Sequence, residues 1–311
     1  MGKYNFHHDF KSVEKVEVPL SPFLLPMMNW FLSRMIKAVK PPRDLKRTIR
    51  KIPGYQNGMI DLTIFEPRES HKELPCLIYF HGGAFVLQAS TYHIHLLSEI
   101  ALQVPCKVIF VDYRLAPKFA FPTGLEDCFA AYRWVCENSK SLGIDKDRIA
   151  VGGDSAGGAL AAAVTLMARD RKTTRICFQM LVYPVTDARQ ITESMRNFVD
   201  TPLWNSKQNR KMWRLYLKDG VDIKREYFSP VEASSFANLP DAYIEVAEFD
   251  CLRDEGINYA ECLQKDGVSV ELNKTIGTIH GFEIVEGSEL VRQSAQRRIA
   301  ALKKGFGLLK K

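Results

Sequence analysis

A five-residue stretch, Gly153 to Gly157, most constrains the fold that this 311-residue chain can adopt. It reads Gly-Asp-Ser-Ala-Gly; the strand-like residues 148–152 precede it, and an alanine-rich, helix-like run, residues 158–170, follows it. Gly-x-Ser-x-Gly between a strand and a helix is typical of a sharp turn that strains the serine backbone and exposes its hydroxyl. Glycines on both sides keep Cβ atoms out of the crowded turn. The motif alone is weak, because small-residue pentapeptides arise by chance, but its flanks predict that Ser155 is a nucleophile.

A pair of glycines predicts where the oxyanion donors lie. Gly82 and Gly83 follow the apolar run 76–80, which has the length and composition of a buried strand. Because glycines lack side chains, their N–H groups can approach a substrate closely. With the N–H of Ala156 they could stabilise a developing alkoxide by roughly 3 kcal/mol per donor. The alternative is an ordinary Gly-Gly turn, but the serine motif elsewhere in the chain favours the catalytic interpretation.

The serine needs a base, and the chain has seven histidines to supply it. His280 is the candidate, because it follows the strand-like residues 269–276 in a loop from which a side chain can reach a serine on a neighbouring strand. The other six are better explained by polar or charged segments, by the start of a helix, or by bracing of the glycine loop: His7, His8, His71, His93, His95 and His81.

An acidic residue must orient the histidine, and with this kind of serine motif the expected chain order is serine, acid, histidine. Asp250 is our choice, because it directly follows the strand-like residues 242–249. Asp254 and Glu255 are better explained as acids in the first turn of the next helix, where they interact favourably with the helix dipole. Asp187, which follows an earlier strand-like run, is the runner-up.

Together with their order, these motifs resemble a known family. The matching stretches are similar to the hormone-sensitive-lipase-like branch of the α/β-hydrolases, also called the bacterial family IV carboxylesterases. They are residues 81–85 (His-Gly-Gly-Ala-Phe), 112–117 (Asp-Tyr-Arg-Leu-Ala-Pro), 152–158 (Gly-Gly-Asp-Ser-Ala-Gly-Gly), 249–256 (Phe-Asp-Cys-Leu-Arg-Asp-Glu-Gly) and 280–282 (His-Gly-Phe). The resemblance implies an α/β-hydrolase: a mostly parallel central sheet with helices on both faces and a helical lid.

The resemblance also implies the role of each site residue. The nucleophile would be Ser155, the base His280 and the orienting acid Asp250. The oxyanion donors would be the N–H groups of Gly82, Gly83 and Ala156.

The chain departs from the family pattern at three positions. Ala84 stands where a third glycine is usual, Cys251 where proline is usual, and Lys118 where an acid is common. None of these removes a catalytic group, although alanine at position 84 restricts the loop to fewer conformations.

Strand-like and helix-like runs alternate along most of the chain, which independently predicts a mostly parallel sheet covered on both faces. We assign residues 46–185 and 229–311 to the catalytic domain. Residues 1–45 and 186–228 do not follow the alternation, and by resemblance they form helical lid segments over the serine. Within the second segment, Trp204 is predicted to line the substrate pocket, because the Thr-Pro pair before it indicates an inward bend.

The segment near the N-terminus is both apolar and basic. Residues 23–36 are apolar but too short and too interrupted to span a bilayer, and basic side chains crowd residues 34–51. One interpretation is an amphipathic helix resting on anionic lipid. The favoured one is a helix with its apolar face over the mouth of the active site and its basic face in water. The formal net charge of +7, without a nucleic-acid motif, indicates at most an affinity for acidic surfaces or substrates.

These observations predict a serine carboxylesterase that hydrolyses small esters with short to medium acyl chains through an acyl-enzyme on Ser155. An amidase or peptidase of the same fold and a non-catalytic receptor for a small ligand are the alternatives, and the presence of His280 favours an enzyme. The expected partner is a small-molecule ester, with no metal or other cofactor, no nucleic acid and no integral membrane association. A homodimer is an assembly that the resemblance allows. An odd number of cysteines without a CxxC pair, and a charged N-terminus, predict a cytoplasmic protein.

Overall fold

The computed structural model describes residues 3–69, 73–218 and 223–309. Across these ranges the strands are β1 (Leu45–Pro53), β2 (Met59–Pro67), β3 (Leu74–Phe80), β4 (Lys107–Asp112), β5 (Ile144–Asp154), β6 (Phe178–Val182), β7 (Asp241–Phe249) and β8 (Val270–Ile279). They form one sheet in the order β1-β2-β4-β3-β5-β6-β7-β8. β2 pairs antiparallel with β1 and β4, and every other neighbouring pair is parallel. The mostly parallel sheet predicted from the alternation is confirmed.

Helices supply the crossovers that parallel neighbours require. The helices are α1 (Leu25–Ala38), α2 (Thr91–Gln103), α3 (Thr123–Glu137), α4 (Ala156–Asp170), α5 (Glu193–Asn197), α6 (Ser206–Tyr216), α7 (Arg253–Lys265) and α8 (Glu289–Gly305). None of those within the described ranges combines the length and the apolar character that crossing a lipid bilayer requires.

The central strand β3 shows how the sequence determines two packed layers. Cys76, Ile78 and Phe80 belong to a core cluster that includes residues of α3, α4 and α7. Leu77 and Tyr79 belong to a second cluster, with residues of α2 and α8. Because successive side chains point to opposite faces of a sheet, an unbroken apolar run marks a strand that is buried on both faces.

Helix α1 carries apolar side chains on both its faces. Leu25 and Ile36 are buried against the body of the protein, as the favoured interpretation of the sequence predicts. Met27, Trp30 and Phe31, however, lie on the opposite face and are exposed. The outward face of this helix therefore carries the expected basic side chains and, in addition, large apolar ones.

Candidate active site

Ser155 lies at the junction between the end of β5 and the start of α4. Its backbone has φ 53° and ψ −119°, a left-handed value of φ that a residue with a side chain rarely adopts. Strain of this kind persists only where the surrounding structure over-determines it, and it is concentrated at functional sites. The strained strand-to-helix turn predicted from the sequence motif is confirmed.

The glycines of the motif are required by close backbone approach. A Cβ on Gly157 would overlap the carbonyl oxygen of Phe80 at the end of β3, and a Cβ on Gly153 would lie 2.5 Å from the same oxygen. Neither contact is sterically acceptable, and both involve backbone that cannot move without disturbing the sheet. The turn that carries Ser155 is therefore compatible only with glycine at these two positions.

Three residues that are distant in the chain meet at the carboxyl ends of parallel strands. Ser155 follows β5, Asp250 follows β7 and His280 follows β8. In the sheet β7 and β8 are neighbours, and β6 lies between β5 and β7. The Nε2 atom of His280 lies 3.0 Å from the Oγ atom of Ser155. Its Nδ1 atom lies 2.7 Å from the Oδ2 atom of Asp250. The hydroxyl, imidazole and carboxylate thus form the continuous chain that activates a serine in nucleophilic catalysis.

Asp250 is fully buried, and its other carboxylate oxygen, Oδ1, accepts the N–H of Leu252 over 2.9 Å. The three alternative acids have other partners. Asp254 accepts the N–H of Ser194, and Glu255 accepts the N–H of Thr186. Asp187 forms an ion pair with Arg189. Of the four acids weighed from the sequence, Asp250 is therefore the one that contacts the imidazole.

One of the oxyanion donors predicted in the glycine loop, the amide of Gly82, has another partner in the structure. The N–H of Gly82 donates to Oδ1 of Asp154 over 3.0 Å inside the protein, so this donor is already occupied. Gly83 and Ala84 have positive φ values of 122° and 57°, and they line the same cavity as Ser155. Among the described residues neither of their N–H groups has an acceptor. This contact disfavours Gly82 as an oxyanion donor, and the amides of Gly83 and Ala84 are the candidates that this loop offers.

Asp154 is the centre of a polar cluster that sequence reasoning missed. Its carboxylate accepts the hydroxyls of Tyr79 over 2.8 Å and Tyr92 over 2.7 Å, and it lies 3.2 Å from Nε2 of His93. Burial raises the pKa of Asp154, but the electrostatic interaction with His93 and these hydrogen bonds outweigh burial and lower the pKa below its ordinary value. Asp154 is therefore a stable anion behind the nucleophile. In the sequence, the one indication of this cluster was an acidic residue directly before Ser155.

His81 braces the loop, as expected from its place beside the two glycines. Its ring stacks on that of Tyr113 with centroids 4.4 Å apart, and the Tyr113 hydroxyl donates to the His81 carbonyl over 2.8 Å. Burial and the nearby His93 lower the pKa of His81 from 6.5 to about 4. The ring is therefore neutral at physiological pH. His71, another histidine set aside from the sequence, lies outside the described residues.

The serine opens into a cavity of about 210 Å³. Trp204 lines it, with its ring centroid 6.0 Å from that of His280, so the residue predicted to line a pocket does lie beside the imidazole. Side chains from the N-terminal segment and from α1 also contribute, namely Val18 and Leu32. Most of the remaining lining is apolar or aromatic: Leu87, Tyr92, Tyr183, Leu203 and Ile284. A small apolar cavity of this kind, with a few convergent polar groups, is typical of a small-molecule site.

A family model for the alpha/beta hydrolase fold matches residues 77–284. The chain belongs to this α/β-hydrolase family. It is similar to the esterase LipI of Mycobacterium tuberculosis, with 40% identity over 68% of this chain and 66% of LipI. It is also 35% identical to the carboxylesterase NlhH of Mycobacterium tuberculosis, over 87% of this chain and 88% of NlhH. A solved structure of a bacterial heroin esterase superimposes with a TM-score of 0.88 at 32% identity, covering 97% of this chain and 98% of that one.

In this α/β-hydrolase a second buried network supports the base. The Tyr183 ring lies 4.5 Å from the His280 ring, and the Tyr183 hydroxyl donates to Glu283 over 2.6 Å. Arg298, which is fully buried in α8, pairs with both Glu283 and Glu245. These contacts tie the residues that surround the imidazole to the terminal helix. They join residues far apart in the chain, so no local pattern could have indicated them.

The one group of potential metal ligands found among the described residues lies outside the α/β-hydrolase cavity. It consists of His7, His8 and Asp9, whose ligand atoms lie within 4.8 Å of one another. His8 is exposed and the other two are partly exposed. Three consecutive surface residues of this kind are common in proteins without a metal, and none of them lines the cavity beside Ser155.

Proposed function

We propose that this chain is a serine carboxylesterase that hydrolyses small esters through an acyl-enzyme on Ser155. The observation that carries the proposal is the Ser155–His280–Asp250 chain, with separations of 3.0 Å and 2.7 Å between the reacting atoms. The similar proteins LipI and NlhH are named an esterase and a carboxylesterase, which supports the same chemistry here.

Each step follows from the position of a named group. His280 Nε2 removes the proton of the Ser155 hydroxyl as Oγ attacks the ester carbonyl carbon, and Asp250 stabilises the imidazolium that results. The carbonyl oxygen becomes an oxyanion and accepts the N–H groups of Gly83, Ala84 and Ala156, the last at the first residue of α4. The alcohol leaves with the proton from His280. Water then loses a proton to His280 and attacks the acyl carbon. The resulting tetrahedral intermediate releases the acid as His280 returns that proton to the Ser155 Oγ atom, which restores the hydroxyl.

Residues 1–45 and 186–228 act as the lid in this proposal, and residues 46–185 and 229–311 as the catalytic domain. The two lid segments contact each other: the Leu203 N–H donates to the Val16 carbonyl over 2.7 Å, and the Gln208 side chain donates to the Val18 carbonyl over 2.8 Å. Each segment also contributes side chains to the cavity. Together they enclose the space above Ser155.

The cavity volume supports short to medium acyl chains. At about 210 Å³ it is smaller than the roughly 300 Å³ at which pockets for drug-sized ligands begin. Bulky triglycerides exceed this space. The free thiols of all seven cysteines support a reducing, cytoplasmic compartment.

Rates on a series of p-nitrophenyl esters, from acetate to palmitate, test the proposal. We expect the highest kcat/KM at acetate to hexanoate, and loss of the activity in Ser155→Ala. A matched p-nitroanilide series separates an esterase from an amidase, because both leaving groups report at similar wavelengths. Preference for the anilides, or for palmitate, would contradict the proposed substrate class. Full ester turnover by Ser155→Ala would contradict the mechanism.

A further inference from the structure

A continuous apolar face is exposed on helix α1 and on the turn at Phe23 that precedes it. Phe23 is 90% exposed, Met27 64%, Trp30 59% and Phe31 57%, which is unusually high for such large apolar side chains. Their spacing of three and four residues aligns them on one side of the helix. Exposed apolar clusters of this size mark interaction sites on proteins, whereas single exposed apolar residues need no explanation.

Cationic side chains border this face. The guanidinium of Arg34 lies over the Trp30 ring, 4.6 Å from its centroid, and Lys37 is exposed one turn further along. Residues 20–51 contain eight of the 43 Lys and Arg residues but only one of the 36 Asp and Glu residues, Asp44. The rest of the chain therefore contains 35 basic and 35 acidic residues. The formal net charge of +7 is thus carried by the same segment that exposes the apolar face.

We propose that this face, formed by Phe23, Met27, Trp30, Phe31, Arg34 and Lys37, docks the protein on an anionic lipid surface with α1 lying in the plane of the interface. A helix of this composition inserts its aromatic and methionine side chains at the boundary between headgroups and acyl chains, while its cations contact the anionic headgroups. The same charge argues against a second copy of this chain as the occupant, because two such faces would repel each other.

The inner side of α1 connects the docked helix to the catalytic cavity. Leu32 lines that cavity. The Asn29 side chain donates to the Val86 carbonyl over 2.8 Å and accepts the Gln88 N–H over 2.9 Å, which fixes α1 to the segment that follows the glycine loop. Docking therefore needs no rearrangement of α1, and an ester dissolved in the lipid is concentrated beside the cavity.

Vesicle binding of the purified full chain tests this proposal. We expect cosedimentation with vesicles that contain phosphatidylglycerol, at least about tenfold weaker binding to pure phosphatidylcholine, and loss of binding at high salt. Tryptophan fluorescence should shift to the blue on binding, and Trp30→Phe should remove most of the shift while keeping the binding. Two double variants should each weaken vesicle binding about tenfold or more: Trp30→Ser/Phe31→Ser and Arg34→Glu/Lys37→Glu.

Matched controls change the same residue types elsewhere. Ile191→Ser/Ile276→Ser removes two other exposed apolar side chains, and Lys140→Glu/Lys146→Glu inverts two other exposed charges. These controls should bind vesicles like the unmodified chain, and all variants should hydrolyse p-nitrophenyl acetate in solution at unchanged rates. Equal binding by the α1 variants and the controls, or no binding to any vesicle, would overturn the proposal. A dimer in sedimentation velocity that Trp30→Ser/Phe31→Ser dissociates would assign the face to a second copy instead.

Discussion

The carboxylate of Asp154 accepts the Gly82 N–H over 3.0 Å, which ties the residue before Ser155 to the loop that carries the proposed oxyanion donors. The same carboxylate also forms hydrogen bonds with the side chains of Tyr79, Tyr92 and His93. Because the bond occupies the amide of Gly82, the loop presents the next two amides, those of Gly83 and Ala84, to the cavity. We therefore interpret Asp154 as a positioning residue for the oxyanion loop.

Removing that carboxylate should reduce the stabilisation of the oxyanion. We expect Asp154→Ala to lower kcat by about 10²-fold with little change in KM, because the donors act on the transition state rather than on the bound ester. Asp154→Asn keeps an acceptor oxygen for the Gly82 N–H and should recover part of kcat. Steady-state kinetics, corrected for the folded fraction, measure both. Asp147→Ala, at an exposed acid in the same strand, is the control. Equal losses of kcat in Asp154→Asn and Asp154→Ala would argue against positioning.

The choice of Asp250 over Asp187 and Asp254 can be tested directly. Asp250→Asn should lower kcat by about 10⁴-fold, because an amide no longer holds the imidazole in the tautomer that accepts the serine proton. Asp187→Asn and Asp254→Asn should lose less than about tenfold, since neither carboxylate contacts His280. The measurement is kcat on p-nitrophenyl acetate at one pH. If the largest loss occurred in either of the other two variants, the assignment of Asp250 would have to be abandoned.

The size of the cavity should control the choice of acyl chain. Trp204→Ala enlarges the space next to His280, so we expect the ratio of kcat/KM for octanoate to that for acetate to rise by about tenfold. Trp134→Ala in α3 removes a tryptophan that does not line the cavity and should leave the ratio unchanged. A ratio that stays the same in Trp204→Ala would show that this side chain does not limit acyl length.

The buried His81 predicts a specific dependence of stability on pH. Its folded pKa of about 4 lies below the ordinary value of 6.5, so the unfolded chain takes up the proton first as the pH falls. Its contribution to the free energy of unfolding is therefore complete above about pH 6.5 and is lost towards pH 4, on the order of 3 kcal/mol in total.

Urea denaturation at pH 7.5 and pH 5 measures this effect in the wild type and in His81→Gln. The difference in free energy of unfolding between the two should shrink by about 2 kcal/mol at the lower pH, because glutamine does not titrate. A constant difference for His81→Gln would contradict the lowered pKa of His81.

Local sequence patterns predicted the centre of the sheet well because its central strands, such as β3 and β4, are dominated by buried apolar residues. β7 was expected over 242–249 and is found at Asp241–Phe249. β8 was expected to end at residue 276 but extends to Ile279, because Gly277, with φ 72°, accommodates an irregularity that lets pairing with β7 resume. β6 ends at Val182, because Tyr183 has φ 33°, a value outside the range of strand residues.

The site was predicted where chemistry narrows the choice and missed where only packing decides. A serine in a strand-to-helix turn needs a base and an acid at strand ends, which left His280 and Asp250 as the best candidates. Nothing in the glycine loop itself indicates that Asp154 occupies the Gly82 amide, because that contact joins residues 72 apart in the chain. The cluster of Arg298 with Glu245 and Glu283 is hidden from the sequence for the same reason.

Labelling with a fluorophosphonate, followed by peptide mass mapping, tests the activation of Ser155 most directly. The reagent reacts with a serine only where a neighbouring base makes its hydroxyl nucleophilic. The account predicts one adduct, on Ser155, that is absent in Ser155→Ala and forms far more slowly in His280→Gln. An adduct on another serine, or equal labelling rates in folded wild type and His280→Gln, would contradict it.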